Sequence, residues 1–212
     1  MNKIKYIAAV LIGIAGLGLQ QAKADTFNFT SDHCTVACGP QSSFGTVTLT
    51  QVGANVNVVV SLLNGNQFVK TGAGGFMYFL FDNTGITLAN ITSISGAPAG
   101  TTAFAGPIMA NGTGIWQWGI GCASCPQGAA GAFPGPITFT VTNTTIALMT
   151  VGHPVSGFGT ELFVADILSG TTGATGDVDV NTPAHVPDGG ATVMLLGTAL
   201  GALGMARRFI MS

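Results

Sequence analysis

The stretch GTVTLTQVGANVNVVVSL, from Gly45 to Leu62, constrains the fold more than any other. Val47 and Leu49 alternate with Thr46, Thr48 and Thr50. After a turn near Gly53-Ala54-Asn55 the alternation resumes, with Val56, Val58 and Val60 set against Asn55 and Asn57. A period of two gives one apolar and one polar face to an extended strand, whereas a helix of 3.6 residues per turn would scatter these residues. The segment is expected to form an antiparallel hairpin, half-buried on one face.

The same rhythm returns elsewhere. In PITFTVTNTTIALMTV, Ile137, Phe139 and Val141 oppose Thr138, Thr140 and Thr142, and the strand pattern is read through to Val151. FMYFLFD, from Phe76 to Asp82, is apolar on both faces and reads as a central strand that ends at the turn cluster Asp82-Asn83-Thr84-Gly85. GIWQWGI and TELFVADIL supply further strands, separated by Gly/Pro/Ala loops, and no window carries a capped amphipathic helix. The fold class is therefore all-β, an antiparallel β-sandwich of Greek-key or jelly-roll type over residues 25–170. Residues 171–185, within SGTTGATGDVDVNTPAHVPDGG, read as a linker.

Charge excludes one class of partner. Between Asp25 and Pro187 the only base is Lys70, against the acids Asp25, Asp32, Asp82, Glu161, Asp166, Asp177 and Asp179, a net of 1 − 7 = −6. Such a chain cannot gain affinity from the phosphate backbone, so nucleic acid is not a partner. Solubility rests on Thr, Ser, Asn, Gln and Gly, a composition suited to an exported wall or matrix protein.

The first 24 residues carry Lys3 and Lys5, an apolar run from Ile7 to Leu19, and Ala22-Lys23-Ala24 before Asp25. This is the order of a secretory signal peptide, with cleavage expected between Ala24 and Asp25 and the secretion machinery as partner. Export places Cys34/Cys38 and Cys122/Cys125 in an oxidising compartment. Two short bridges that staple loops are the leading reading, although four cysteines allow three connectivities. A zinc site built from all four, with His33 nearby, is the alternative.

Enzyme signals are thin, and neither catalytic residues nor a cofactor is expected. Glu161 and Asp166 stand five apart on one expected strand and so point to opposite faces, unlike a glycosidase pair. No Gly-x-Ser-x-Gly elbow occurs, and His33, His153 and His185 sit in loop-like contexts where a lone histidine is usually solvated. Asp177, Asp179, Asn181 and Asp188 faintly echo a calcium loop, but Thr182 replaces its central glycine and prolines intrude, so they read as linker acids. Trp116 and Trp118, two apart, are expected to share a face, either filling the core or offering a platform for sugar rings.

The tail begins with Val186-Pro187-Asp188-Gly189-Gly190, continues with the uncharged segment Ala191–Ala206, and reaches Arg207-Arg208. As a helix those residues span about 24 Å at ~1.5 Å each, slightly short of the ~30 Å hydrocarbon core. The arginines would stay on the cytoplasmic side while the main domain faces outward. Motif, apolar helix and arginine pair, in that order, resemble the tripartite PEP-CTERM class of bacterial sorting signals, in a form close to the VPDSG variant. Gly190 and the extension Phe209-Ile210-Met211-Ser212 are read as departures from that pattern. The resemblance covers only the tail. It implies insertion in the membrane before processing, an exosortase-type membrane transpeptidase as processing partner, and a link to exopolysaccharide. The protein is then expected at the cell surface or in the extracellular matrix, with a structural or adhesive role. An uncleaved tail anchor and a carbohydrate-binding module using Trp116/Trp118 are the alternatives.

Overall fold

The computed structural model describes residues 23–155 and 159–180, together with the backbone of Val186 and Pro187. The expected signal segment through Ala22, the loop residue His185, Asp188-Gly189-Gly190, the apolar segment 191–206 and Arg207-Arg208 lie outside the described residues. No helix among the described residues is long and apolar enough to cross a membrane.

Among the described residues fifteen strands follow in chain order. The first eight are β1 (Ala24–Phe29), β2 (Ser31–Asp32), β3 (Gly45–Val52), β4 (Asn55–Leu62), β5 (Gln67–Phe68), β6 (Phe79–Phe81), β7 (Ile91–Ser95) and β8 (Thr102–Ala110). Then come β9 (Gly114–Gly121), β10 (Ile137–Thr142), β11 (His153–Val155), β12 (Gly159–Glu161), β13 (Phe163–Leu168), β14 (Thr175–Val180) and β15 (Val186–Pro187). One sheet runs β15-β1-β3-β4-β10-β7; the other runs β2-β14-β13-β6-β9-β8, with β5 also on β13. Every pairing is antiparallel, and β11 with β12 forms a separate small hairpin.

The β3–β4 hairpin forms as its alternation demands, with Val52 opposite Asn55 and Gly53 at φ +60°. A two-residue turn that follows the strand twist needs positive φ at its first central position, which glycine adopts without strain. Val47, Leu49, Val56, Val58 and Val60 are buried, while the threonines and asparagines between them are not.

The apolar faces of the two sheets meet in one core, the arrangement of a β-sandwich. Phe27 of the first sheet packs edge-on against Phe163 of the second, with ring centroids 5.5 Å apart. Phe139 reaches across to Phe79 and Phe81 at 5.9 and 5.5 Å. Burial of this aromatic layer is the main stabilising term, at roughly 1.5–3 kcal/mol per large side chain.

Four expectations of the sequence are corrected. The supposed linker 171–185 contains β14, which pairs with β13 from Phe163↔Val180 to Leu168↔Thr175, so the sandwich extends at least to residue 180. Val178 and Val180 belong to the core there, and their alternation with Asp177 and Asp179 was a strand signal hidden by acidic residues. The expected strand 76–82 shrinks to Phe79–Phe81, because Phe76 turns at φ +66° and is half-exposed. The strand read from Ile137 to Val151 ends at Thr142 and gives way to one helical turn, Ile146–Met149, where the Thr145 side chain caps the amide of Leu148. Finally, TELFVADIL is interrupted at Leu162, so Glu161 and Asp166 stand on two different strands.

Candidate functional site

The cysteines form the two local bridges, Cys34–Cys38 and Cys122–Cys125, which leaves no thiol for the four-cysteine zinc reading. In a chain-entropy account such small loops gain only about 2 kcal/mol each. Side chains organise both loops. The Asp32 carboxylate accepts from the amides of Cys34 and Cys38 at 2.8 and 2.7 Å. The Lys70 ammonium, itself buried, donates to the carbonyls of Cys122 and Ala123 at 2.8 and 3.1 Å. The base noted in the sequence therefore braces a loop and does not serve the surface.

The tryptophans do not share a face, and each packs into a core cluster, so the two-indole platform does not form. Trp116 is fully buried, in a second cluster with Leu80, Ile108, Ala110 and Val164, and its ring packs edge-on against His153 at 4.4 Å. Trp118, partly buried, packs against the main core instead. Strand alternation fails between them. The Gln117 amide donates to Asp82 Oδ1 at 2.8 Å, and the neighbouring β8 shifts register between Ala105 and Ile108. A bulge of this kind twists the strand locally and re-aims its side chains. Trp118 lines an open cleft of about 690 Å³ with Asn83, Ile86, Pro107 and Gln117, and its indole N–H donates to the Asn83 carbonyl at 3.0 Å.

His33 and His153, the two histidines among the described residues, are not solvated loop residues. His153 Nδ1 lies 2.6 Å from Asp82 Oδ2 and Nε2 lies 2.9 Å from the Thr113 carbonyl. His33 Nε2 stands 2.5 Å from Asp179 Oδ2 and 3.2 Å from the Ser31 hydroxyl.

Asp177 and Asp179, read from the sequence as linker acids, are interior groups. Five of the seven acids between Asp25 and Pro187 are buried, namely Asp25, Glu161, Asp166, Asp177 and Asp179; the last three stand on the second sheet, and Glu161 of the separate β11–β12 hairpin neighbours Asp179. Asp166, Asp177 and Asp179 alternate with core residues of β13 and β14, so they project from the outer face of the sheet. Asp166 faces Asp177 across the ladder. The amide and hydroxyl of Thr71 donate to Asp166 Oδ2 at 2.6 and 2.7 Å, laying the segment after Lys70 over this face. Both oxygens of Glu161 and both of Asp177 lack a hydrogen-bond donor among the described residues. Burial, reinforced by the neighbouring Asp179, pushes the Glu161 carboxyl up to about 8. Burial also raises Asp166 to about 6 against the pull of Thr71. Asp177 rises well above the carboxylate range through burial and the charges of Asp166 and Asp179. Sequence reasoning missed this cluster because spacing along a strand does not say what covers its outer face.

At the termini, Ala24 and Asp25 lie inside β1, Ala24 opposite Thr50 and Asp25 opposite Leu49. The backbone of Val186 and Pro187 pairs with Thr26 and Asp25 on the outer edge of that strand. Neither the curated proteins nor the solved structures contain a match to this chain. Residues 185–209 match the family model described as the VPDSG-CTERM motif. Set against that description, Val186, Pro187, Asp188 and Gly190 coincide with its letters and Gly189 replaces the serine, so the departure lies at Gly189 and not at Gly190. Within its last 28 residues the chain thus carries a sorting signal of the PEP-CTERM type, the mark of an exported cell-envelope or surface protein.

Proposed function

We propose that this is a non-enzymatic surface or matrix protein. It would be exported by a signal peptide, held in the membrane by Ala191–Ala206, and released or transferred by an exosortase-type transpeptidase acting near Val186-Pro187-Asp188. Its role is structural or adhesive, in association with exopolysaccharide, and its body is a Greek-key type sandwich. The observation that carries this reading is the match at residues 185–209, joined to a folded β domain. The domain's character supports it. With five of its seven acids and Lys70 buried, the surface is almost free of formal charge and neither repels nor concentrates charged polymers. The Ala24–Asp25 bond lies within β1, so cleavage there would precede docking of that strand, as expected for a chain cut while still extended during export.

Intact mass of the mature protein from its native host tests the reading. The expected product lacks residues 1–24 and Arg207-Arg208, and replacement of Val186-Pro187-Asp188 by three alanines should leave the arginine pair attached. A wild-type product that retains both arginines would make the tail a plain anchor.

The cleft beside Trp118 favours a second reading, a carbohydrate-binding module. Trp116 also borders the cleft but exposes no surface, so only Trp118 could stack on a sugar. A polysaccharide pull-down should then weaken about tenfold or more in Trp118→Ala, the worth of one aromatic contact. Equal binding by the variant removes this reading.

A further inference from the structure

We propose that His33, Glu161 and Asp179 form a buried site for a divalent cation of the zinc class, on the outer face of the second sheet. The three side chains come from separate segments, the exit of β2, the end of β12 and the penultimate residue of β14. One ligand atom from each lies within 4.8 Å of the other two. Glu161 and Asp179 are fully buried, and the His33 side chain is 8% exposed.

The donor inventory points to a cation. Glu161 has no donor to either oxygen among the described residues, and its polar neighbour Asp179 is another acceptor. Asp177, two residues along the same strand face, also has both oxygens without a donor. Four buried carboxyls thus share this region, and Lys70, the only base of the β domain, is committed to Cys122 and Ala123. Buried acceptors without donors are costly, and a bound cation satisfies several at once.

The mixture of ligands selects the class. One imidazole nitrogen with two carboxylates suits zinc better than calcium, which takes six to eight oxygens. Three protein ligands leave a fourth tetrahedral position for water or a further oxygen. Ligand atoms on zinc, at ~2.0–2.2 Å from the metal, stand roughly 3.3 Å apart. The His33–Asp179 contact would open slightly on loading while Glu161 moves in. His33 is restrained in this position. Its amide donates to the Asp177 carbonyl at 2.9 Å, and its ring lies so close to Gly112 that a Cβ there would stand 2.6 Å from Nδ1.

The test uses the full chain in detergent, stripped with EDTA and titrated separately with Zn²⁺ and Ca²⁺. One equivalent of zinc should bind and raise the Tm by about 5–10 °C at a hundredfold excess over Kd, and calcium should not. Glu161→Gln should abolish the zinc-dependent rise while the metal-free Tm holds or increases, because an amide can donate to Asp179. His33→Gln keeps a donor toward Asp179 and should also lose the response. Absence of zinc binding by the wild-type chain overturns the proposal. So does a response that survives in both variants, or a rise produced by calcium and not by zinc.

Discussion

Phe79→Ala is expected to lower the unfolding free energy by about 3–5 kcal/mol, the range for emptying a large buried aromatic site. Phe79 is fully buried in the short strand β6, whose neighbours are β13 on one side and β9 on the other. Its ring stacks on Phe81 at 6.0 Å and on Phe163 at 5.9 Å, and it meets Phe139 of the opposite sheet. Neighbours fixed in two sheets cannot collapse together, so most of the cavity should persist. Urea unfolding followed by tryptophan fluorescence reads the change directly. Phe79→Leu, which keeps more of the volume, should cost less than half as much. A loss under about 1 kcal/mol for the alanine variant would mean that the two sheets do not share this core.

The second large effect concerns pH. In EDTA the folded protein should lose stability from about pH 5 toward pH 9, by an amount on the order of 3 kcal/mol. The sign follows from the raised carboxyls. Glu161, at about 8 in the folded protein against an ordinary 4.5, binds its proton more tightly when folded. Its contribution is full below 4.5 and disappears as pH rises through 8. Asp166, raised from 3.8 to about 6, acts the same way over a lower window. The groups around them are Asp177, Asp179, His33 and Thr71, and none brings a permanent positive charge to replace the lost protons. The midpoint of urea unfolding should therefore be higher at pH 5 than at pH 9, and Glu161→Gln should flatten the upper part of the curve. Bound zinc would oppose the trend, since its ligands must be deprotonated. A midpoint that stays level or climbs between pH 5 and pH 9 without metal would show that these acids are solvated.

Legibility in the sequence divided along physical lines. Hairpins whose faces differ in polarity were readable, because solvent on one side writes the alternation into the residues. Val47 to Val60 and Ile137 to Val141 are examples. Strands covered on both faces were readable where they were apolar throughout, as around Phe79–Phe81, but not where one covered face carries acids. In β14 every residue from Gly176 to Val180 is buried, and the acids of its outer face resembled a solvated linker. The Trp116–Trp118 pair failed for a related reason, since a register shift in the adjacent strand is invisible in the spacing of β9 itself.

The sequence by itself determined the β character, the local cysteine pairs and the presence of the sorting motif, because each is a short-range pattern of neighbouring residues. Only the tertiary structure decided which acids leave water. Burial depends on what a distant segment lays over a strand, as Thr71 does over Asp166 and Gly112 beside His33. The convergence of His33, Glu161 and Asp179 likewise exists only once three separate segments are brought together, since no local spacing encodes a contact that needs β2 paired with β14 and the β11–β12 hairpin beside them.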